Sequence, residues 1–407
     1  MILVAGLVLV LGGAAAAVPG VVALGVIVCG LGLVRTIWGA GGSESVSYRR
    51  TLSTDRSVCG DEIGLDIRVH NRGPLPLPWV RTVDSLGAGV AVRHRLHPDQ
   101  EPVRGDLTNG WTLGPFESVV RHFRIVTDRR GSYRLGPAMV TAGDLLGRPL
   151  PLNAIDARVG YIVRPRMVSV VGFDEARDWA GDQRARTGLV EDPSRFSGVR
   201  PYRLGDPPRK IHWRASARTG TTLSRRYDPS RRRDVVLVLD PRLPTGPGMG
   251  SLERDDATEG LLVATMSLAR SLHLDGAAVG FATTAFSGEL HRTLFISPSA
   301  TPSGIGLIAD VLARLDGIPA ISIPRLLGEV SRRVRPGATI VTIGAVDPVP
   351  FLPAMRGLAR SGFRVAHVAY GADSVGLAAL ARGAGVTARA ARLDGAWATC
   401  TQVEFVG

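Results

Sequence analysis

Lysine is almost absent from this chain: Lys210 stands alone, so the 49 basic residues are nearly all arginine. A genome whose base composition favours arginine codons accounts for that total, so the placement of the charge says more than its amount. Cysteine is scarce as well. Cys29, Cys59 and Cys400 make neither an even set nor a CxxC pair, which excludes a disulfide framework or structural zinc site and fits a reducing compartment. Aromatic residues make up only 5%, yet 45% hydrophobic content excludes wholesale disorder. The 50 glycines and 27 prolines predict many turns and small-residue packing. A length of 407 residues accommodates a membrane segment and two or three modest domains.

Charged side chains are missing altogether from Met1–Val34. One bilayer crossing takes about 20 apolar helical residues. The run is long for one crossing and just long enough for two short ones, with Pro19-Gly20 near the middle where a turn is needed. The expectation is a transmembrane α-hairpin over residues 1–40, with Met1–Ala17 and Val21–Trp38 as its arms. Arg35, Arg49 and Arg50 follow the second arm, and the positive-inside bias then puts the body on the cytoplasmic face of the inner membrane. A cleaved signal ending near Ala14–Ala17 is one rival, but it lacks a basic leading segment and a second apolar stretch follows at once. A single long span, with the N-terminus outside, is the other.

Residues 45–162 read as an all-β sandwich module after a short Gly/Ser linker. Ile63–Val69, Val119–Ile125 and Pro137–Thr141 alternate or cluster β-formers between turn signals such as Asn71-Arg72-Gly73-Pro74. Trp111, Phe116 and Tyr133 read as core or corner aromatics. His94 and His97, three apart, would point to opposite faces of a strand, so with His122 they read as surface histidines rather than metal ligands.

Residues 163–233 read as an arginine-rich connector with little period. Within it, positions 181–233 hold 14 Arg/Lys against 5 Asp/Glu, a local +9 out of a net +13. Such a stripe suits an acidic partner, a phosphate-bearing ligand or an anionic membrane face. Arg225-Arg226 and Arg231-Arg232-Arg233 come with no zinc finger, helix-turn-helix or aromatic sheet motif, which argues against nucleic acid. His212, Ser216 and Asp206 lie close in sequence, but no nucleophile-elbow turn surrounds Ser216, and a structural role is the more economical reading. Trp213 and Tyr202 would then pack on the neighbouring domain, and Asp206 would pair with an arginine.

From residue 234 to 407 the pattern changes to α/β. Val235–Leu239 is a continuous apolar run of buried-strand type ending at Asp240, and strands then alternate with helical stretches, which predicts a doubly wound, mostly parallel sheet. Ligands of such sheets bind at the carboxyl ends of strands, here near Asp240, Gly344–Asp347 and Tyr370–Asp373. Asp240 and Asp347 are the candidate metal ligands for Mg²⁺. No hydroxyls accompany them and Arg242 would compete for Asp240, so the expectation is no cofactor, with Mg²⁺ doubtful. Gly246–Ser251 begins too far past the strand, and contains a proline, to serve as a phosphate loop.

The run Val199-Arg200, Tyr202, Gly205-Asp206, Arg209, Ile211, Trp213 and Ser216-Ala217-Arg218 keeps the spacing of the family catalogued as domain of unknown function 58, which this chain resembles. Where that family commonly has an acid before the tryptophan, His212 stands here. The phrases Arg130–Pro137 and Gly143–Gly147 also look like the family's β-module. The resemblance implies paired N-terminal membrane spans, a β-module, the signature segment and a von Willebrand factor A-like domain. It also implies a MoxR-type AAA+ ATPase and other membrane proteins as partners. The expected function is a non-enzymatic, membrane-tethered adaptor in the assembly or maturation of envelope or protein complexes, with Arg200, Tyr202, Gly205, Asp206, Arg209, Trp213, Ser216 and Arg218 as its interaction residues. The alternative is an Mg²⁺-dependent switch or enzyme using Asp240 and Asp347.

Overall fold

A computed structural model describes residues 2–41, 46–95, 101–143, 149–150, 155–173, 191–203, 208–229, 233–244, 251–287, 294–319 and 321–407. The chain divides into two compact units, Met1–Pro165 and Arg166–Gly407.

The first unit begins with two helices, α1 (Ile2–Ala15) and α2 (Pro19–Gly41). They pack closely, because a methyl group on Gly6 would lie 2.7 Å from the Cys29 amide nitrogen and one on Gly25 2.6 Å from that of Val10. The chain reverses at Ala17, whose φ is +54°, and Pro19 opens the second helix rather than the turn, a position where its missing N–H costs nothing. Among the described residues no helix is long and apolar enough to cross a membrane, which corrects the expected transmembrane hairpin. The reason is reach. The 14 residues of α1 rise about 21 Å against a hydrocarbon core of about 30 Å. In α2 the stretch from Val21 to Val34, bounded by Pro19-Gly20 and Arg35, reaches no further.

Twelve described strands follow: β1 (Val46–Leu52), β2 (Arg56–Val58), β3 (Glu62–Asn71), β4 (Leu77–Ser85), β5 (Val90–His94), β6 (Val103–Arg104), β7 (Asp106–Leu113), β8 (Ser118–Thr127), β9 (Gly131–Leu135), β10 (Ala138–Gly143), β11 (Pro149–Leu150) and β12 (Val159–Arg164). They form sheets of order β1-β3-β8-β5-β6, β11-β10-β4-β7 and β2-β12-β9. Strict alternation buries Ile63, Leu65, Ile67 and Val69 of β3 while their neighbours face out. Trp111 is buried and donates its indole N–H to the Thr82 hydroxyl at 3.1 Å. Tyr133 stacks on Tyr161, ring centroids 5.4 Å apart. Phe116, expected in the core or at a corner, lies outside the core: it is 62% exposed, at the turn between β7 and β8 where φ is +54°.

A buried polar cluster joins the first two sheets. Arg50 Nη2 lies 2.5 Å from Asp84 Oδ1, with both side chains under 3% exposed. Arg50 also donates to the Tyr48 hydroxyl at 3.2 Å and the Ala157 carbonyl at 3.1 Å, and Tyr48 donates to Asp84. Burial, and then the neighbouring Asp84 carboxylate, hold the Tyr48 phenol well above its ordinary range.

In the second unit the strands are β13 (Ser169–Val171), β14 (Glu191–Pro201), β15 (Leu223–Pro229), β16 (Asp234–Leu239), β17 (Ala278–Thr283), β18 (Ala285–Ser287), β19 (Leu294–Ser299), β20 (Leu315–Pro319), β21 (Thr339–Gly344), β22 (Arg364–Tyr370), β23 (Thr387–Leu393) and β24 (Gln402–Val406). Its helices are α3 (Trp213–Thr219), α4 (Ser251–Leu274), α5 (Pro302–Ala313), α6 (Ile323–Arg333), α7 (Leu352–Arg360) and α8 (Ser374–Gly383). The main sheet has the order β13-β24-β23-β22-β21-β16-β17-β19. Its central strands are parallel, while β19 and β24 run antiparallel to their neighbours β17 and β23. Val235, Leu237 and Leu239 pack with α4 and α5 on one face, Val236 and Val238 with α6, α7 and α8 on the other. The chain leaves β16 for β17 on one side and returns to β21 on the other, so strand order reverses at Asp240.

The connector reading is corrected between Glu191 and Pro229. There β14 and β15 form an antiparallel ribbon with α3 between them in sequence. Register shifts between Glu191 and Phe196 and again before Gly198 break the period-two signal that would have marked β14.

The buried cluster sets a stability expectation. Arg50→Met leaves Asp84 buried without its cation and should cost about 3–5 kcal/mol in equilibrium urea unfolding, with Arg50→Met/Asp84→Leu losing much less. A single variant within about 1 kcal/mol of the parent would contradict this.

Candidate functional site

Two places carry the sequence-predicted residues. The first is the switch point after β16. Asp240 is 2% exposed, and its carboxylate is taken by Arg242. Arg242 Nε donates to Oδ1 at 2.9 Å and to Oδ2 at 3.0 Å, and Nη2 donates to Oδ2 at 2.6 Å. The Arg242 amide adds a bond to Oδ1 at 3.2 Å. The hydrogen bond to Asp240 holds the guanidinium above its ordinary pKa, against the opposing effect of its own partial burial. Asp347 is exposed beyond β21, and its Oδ1 accepts from the Val349 amide at 2.9 Å. A divalent cation would have to displace Arg242 and compete with that amide. Among the described residues no group of three or more His, Cys, Asp and Glu side chains comes together. Gly246–Gly250 lie outside the described residues.

The second place is the signature ribbon. Arg200 pairs across it with Ser224, and Val199 with Arg225. Arg200 Nη1 donates to the Pro201 carbonyl at 3.2 Å, and the Tyr202 amide donates to the Thr222 carbonyl at 2.9 Å. Helix α3 opens on His212, whose Nδ1 accepts from the Ala215 amide at 3.2 Å. That bond satisfies a donor left over at the helix start, the task an acidic side chain performs at such a position. The helix closes on Gly220, whose left-handed φ of +70° returns its amide to the Ser216 carbonyl.

Ser216 ties the helix to the ribbon. Its hydroxyl accepts from the Leu223 amide at 2.8 Å and donates to the His212 carbonyl at 3.1 Å. His212 and Ser216 therefore engage backbone rather than each other's side chains, which is a bracing arrangement and not a nucleophile with its base.

Two of the remaining signature residues, Trp213 and Arg218, face outward. Trp213, expected to pack on a neighbouring domain, is 70% exposed. Arg218 is exposed, and so is Arg214, which stands outside the signature pattern. The two arginines are four apart and share one face of α3, a spacing that signals nothing until the segment is known to be helical. Tyr202 and Arg200 are half-buried at the end of β14. Arg209 belongs to the turn Pro208–Lys210. Gly205 and Asp206 lie outside the described residues, as do His97, Arg231 and Arg232. His94 and His122 are separately engaged, His94 edge-on to Phe123 and His122 with Asp66 at 2.7 Å.

The braced helix and the strand after it lie within a recognisable stretch. Residues 198–297 match the family described as protein of unknown function DUF58. The DUF58 match thus runs from the ribbon through β16, α4 and β17 into β19. Among curated proteins, the uncharacterized protein YeaD of Bacillus subtilis (strain 168) is 22% identical over 247 residues, which is 59% of this chain and 56% of that protein. The alignment spans little more than half the length of that relative. Solved structures include a non-cellulosomal cohesin from Archaeoglobus fulgidus, 11% identical over 29% of this chain and 91% of its own, with a TM-score of 0.21. CaCohA2 of Clostridium acetobutylicum is 9% identical over 29% of this chain and 90% of its own, also with a TM-score of 0.21. Scores that low carry no argument about fold or function.

The bracing role of Ser216 is open to measurement. Ser216→Ala removes the partner of the Leu223 amide and should cost about 1–2 kcal/mol, seen as faster hydrogen exchange at Leu223. His212→Asp keeps a cap acceptor in place and should leave that exchange rate as slow as in the parent. Unchanged exchange in Ser216→Ala would rule the brace out.

Proposed function

We propose that this protein is a non-enzymatic adaptor that presents α3 and its ribbon to an acidic surface of a cytosolic partner, a MoxR-type AAA+ ATPase. The observation that carries the reading is the division of labour on α3. Ser216, His212 and Gly220 spend their polar groups on holding the element in place. Trp213, Arg214 and Arg218 are left at the surface. An exposed tryptophan on a braced support, flanked by arginines, has the composition of an interface hot spot. Like charges four apart on a seven-residue helix also disfavour the helix by themselves, and an acidic partner removes that cost. The DUF58 match supports the choice of partner through the resemblance of the signature segment.

The same reading places the protein at the cytoplasmic face of the inner membrane, among other membrane proteins. Its support is the apolar surface of the hairpin, where Val4, Leu7, Val8 and Leu11 are each more than half exposed. The second unit is read as von Willebrand factor A-like. The order β19-β17-β16-β21-β22-β23, with one antiparallel edge, supports that reading, and Arg242 stands where such a domain would bind its metal.

Co-precipitation of the full chain with the MoxR-type ATPase tests the proposal. Trp213→Ala and Arg218→Glu should each weaken capture at least about tenfold, or about 1.4 kcal/mol. Capture equal to the parent by both variants would reject α3 as the docking element.

A further inference from the structure

One outward face of the first unit has its charges sorted along the strands. At one end the cations are shared with acids: Arg124 lies 2.5 Å from Glu62, Arg93, which stands opposite Arg124, 3.8 Å from the same carboxylate, and His122 2.7 Å from Asp66. At the other end the acids stop. Arg49 on β1 stands directly opposite Arg68 on β3, and Arg72 follows just beyond β3. All three are exposed, and none has an ion pair among the described residues.

Like charges directly opposite on an antiparallel pair are destabilising, and packing gives no return for exposed side chains. The hydroxyl and imidazole groups nearby fit the same pattern. Ser47 pairs in register with His70, and His70 in turn with Ser118. Together Ser47, Arg49, Arg68, His70, Arg72 and Ser118 line a groove of about 380 Å³. His70 donates from Nδ1 to the Glu117 carbonyl at 3.1 Å, which fixes the ring. The Glu117 carboxylate is turned to the Gly114 amide at 2.5 Å, so it does not neutralise the groove.

We propose that this groove binds a phosphate-bearing group. Guanidinium groups pair with phosphate oxygens through two parallel hydrogen bonds, and a bound dianion or monoanion converts the Arg49–Arg68 repulsion into attraction. The groove also lies at the start of β1, five chain steps after α2 ends at Gly41. Fully extended, those steps span at most about 18 Å. Whatever surface receives the apolar hairpin therefore lies within reach, and a phospholipid headgroup is the form in which phosphate is presented there.

The full chain, held in a maltoside detergent, is titrated with inorganic phosphate and with glycerophosphoglycerol by calorimetry and by thermal unfolding. Binding of glycerophosphoglycerol that is at least tenfold weaker in Arg49→Gln and Arg68→Gln, and unchanged in Arg124→Gln at the paired end, is the expected result. Binding of inorganic phosphate alone, with the same variant pattern, supports the groove with free phosphate as the source. A structural role would not give the second signature expected: in phosphate-free buffer Arg68→Gln unfolds at a higher temperature than the parent, yet gains nothing from added ligand. The proposal is overturned if neither probe binds, or if both groove variants bind as tightly as the parent.

Discussion

Every side chain of the run Val235–Leu239 is out of contact with water, and that double-sided burial constrains the rest of the second unit. A strand buried on both faces needs helices above and below and paired strands on both edges, since its amides and carbonyls have no solvent to turn to. Here α4 and α5 cover one face and α6, α7 and α8 the other, while β17 and β21 flank the strand. The chain can leave such a strand only at its end, and it does so at Asp240, where strand order reverses. The buried carboxylate created there is compensated by the nearest cation in the chain, Arg242.

The first unit solves a similar problem with charge inside as well as outside. Its alternating strands bury one face, and the Arg50–Asp84 pair with Tyr48 pins two sheets together where apolar side chains would pack without direction. On the solvent face, charge segregates into a neutral end and a cationic end. The signature ribbon shows the same economy at smaller scale. A short helix that could not persist alone is held by one serine hydroxyl and one cap, and this leaves its large and charged side chains to the surface.

Much of the second unit was legible in advance because its signals are local and strong. A continuous apolar strand, helices of adequate length and their alternation point to a parallel sheet whatever the details. The short β13 was not legible, since its partner β24 lies at the far end of the second unit. In the ribbon, β14 is bulged and carries Pro193 and Gly198, so its periodicity fails although its pairing is sound. The hairpin shows the opposite case. Composition announced two apolar arms, but where Pro19 sits and where the turn falls shortened what each arm can reach.

The sequence by itself determined the placement of apolar and charged residues, hence the order of the elements, the buried central strand and the spacing of the signature. Those properties depend on neighbours a few positions away, and local patterns carry them in full. Tertiary structure decided which charges meet. It set Arg50 against Asp84 and Arg49 opposite Arg68, because strand register brings together residues that no spacing rule connects. It also turned Trp213 to the surface and Ser216 inward, since only the fold of the ribbon onto α3 gives that helix an inside and an outside.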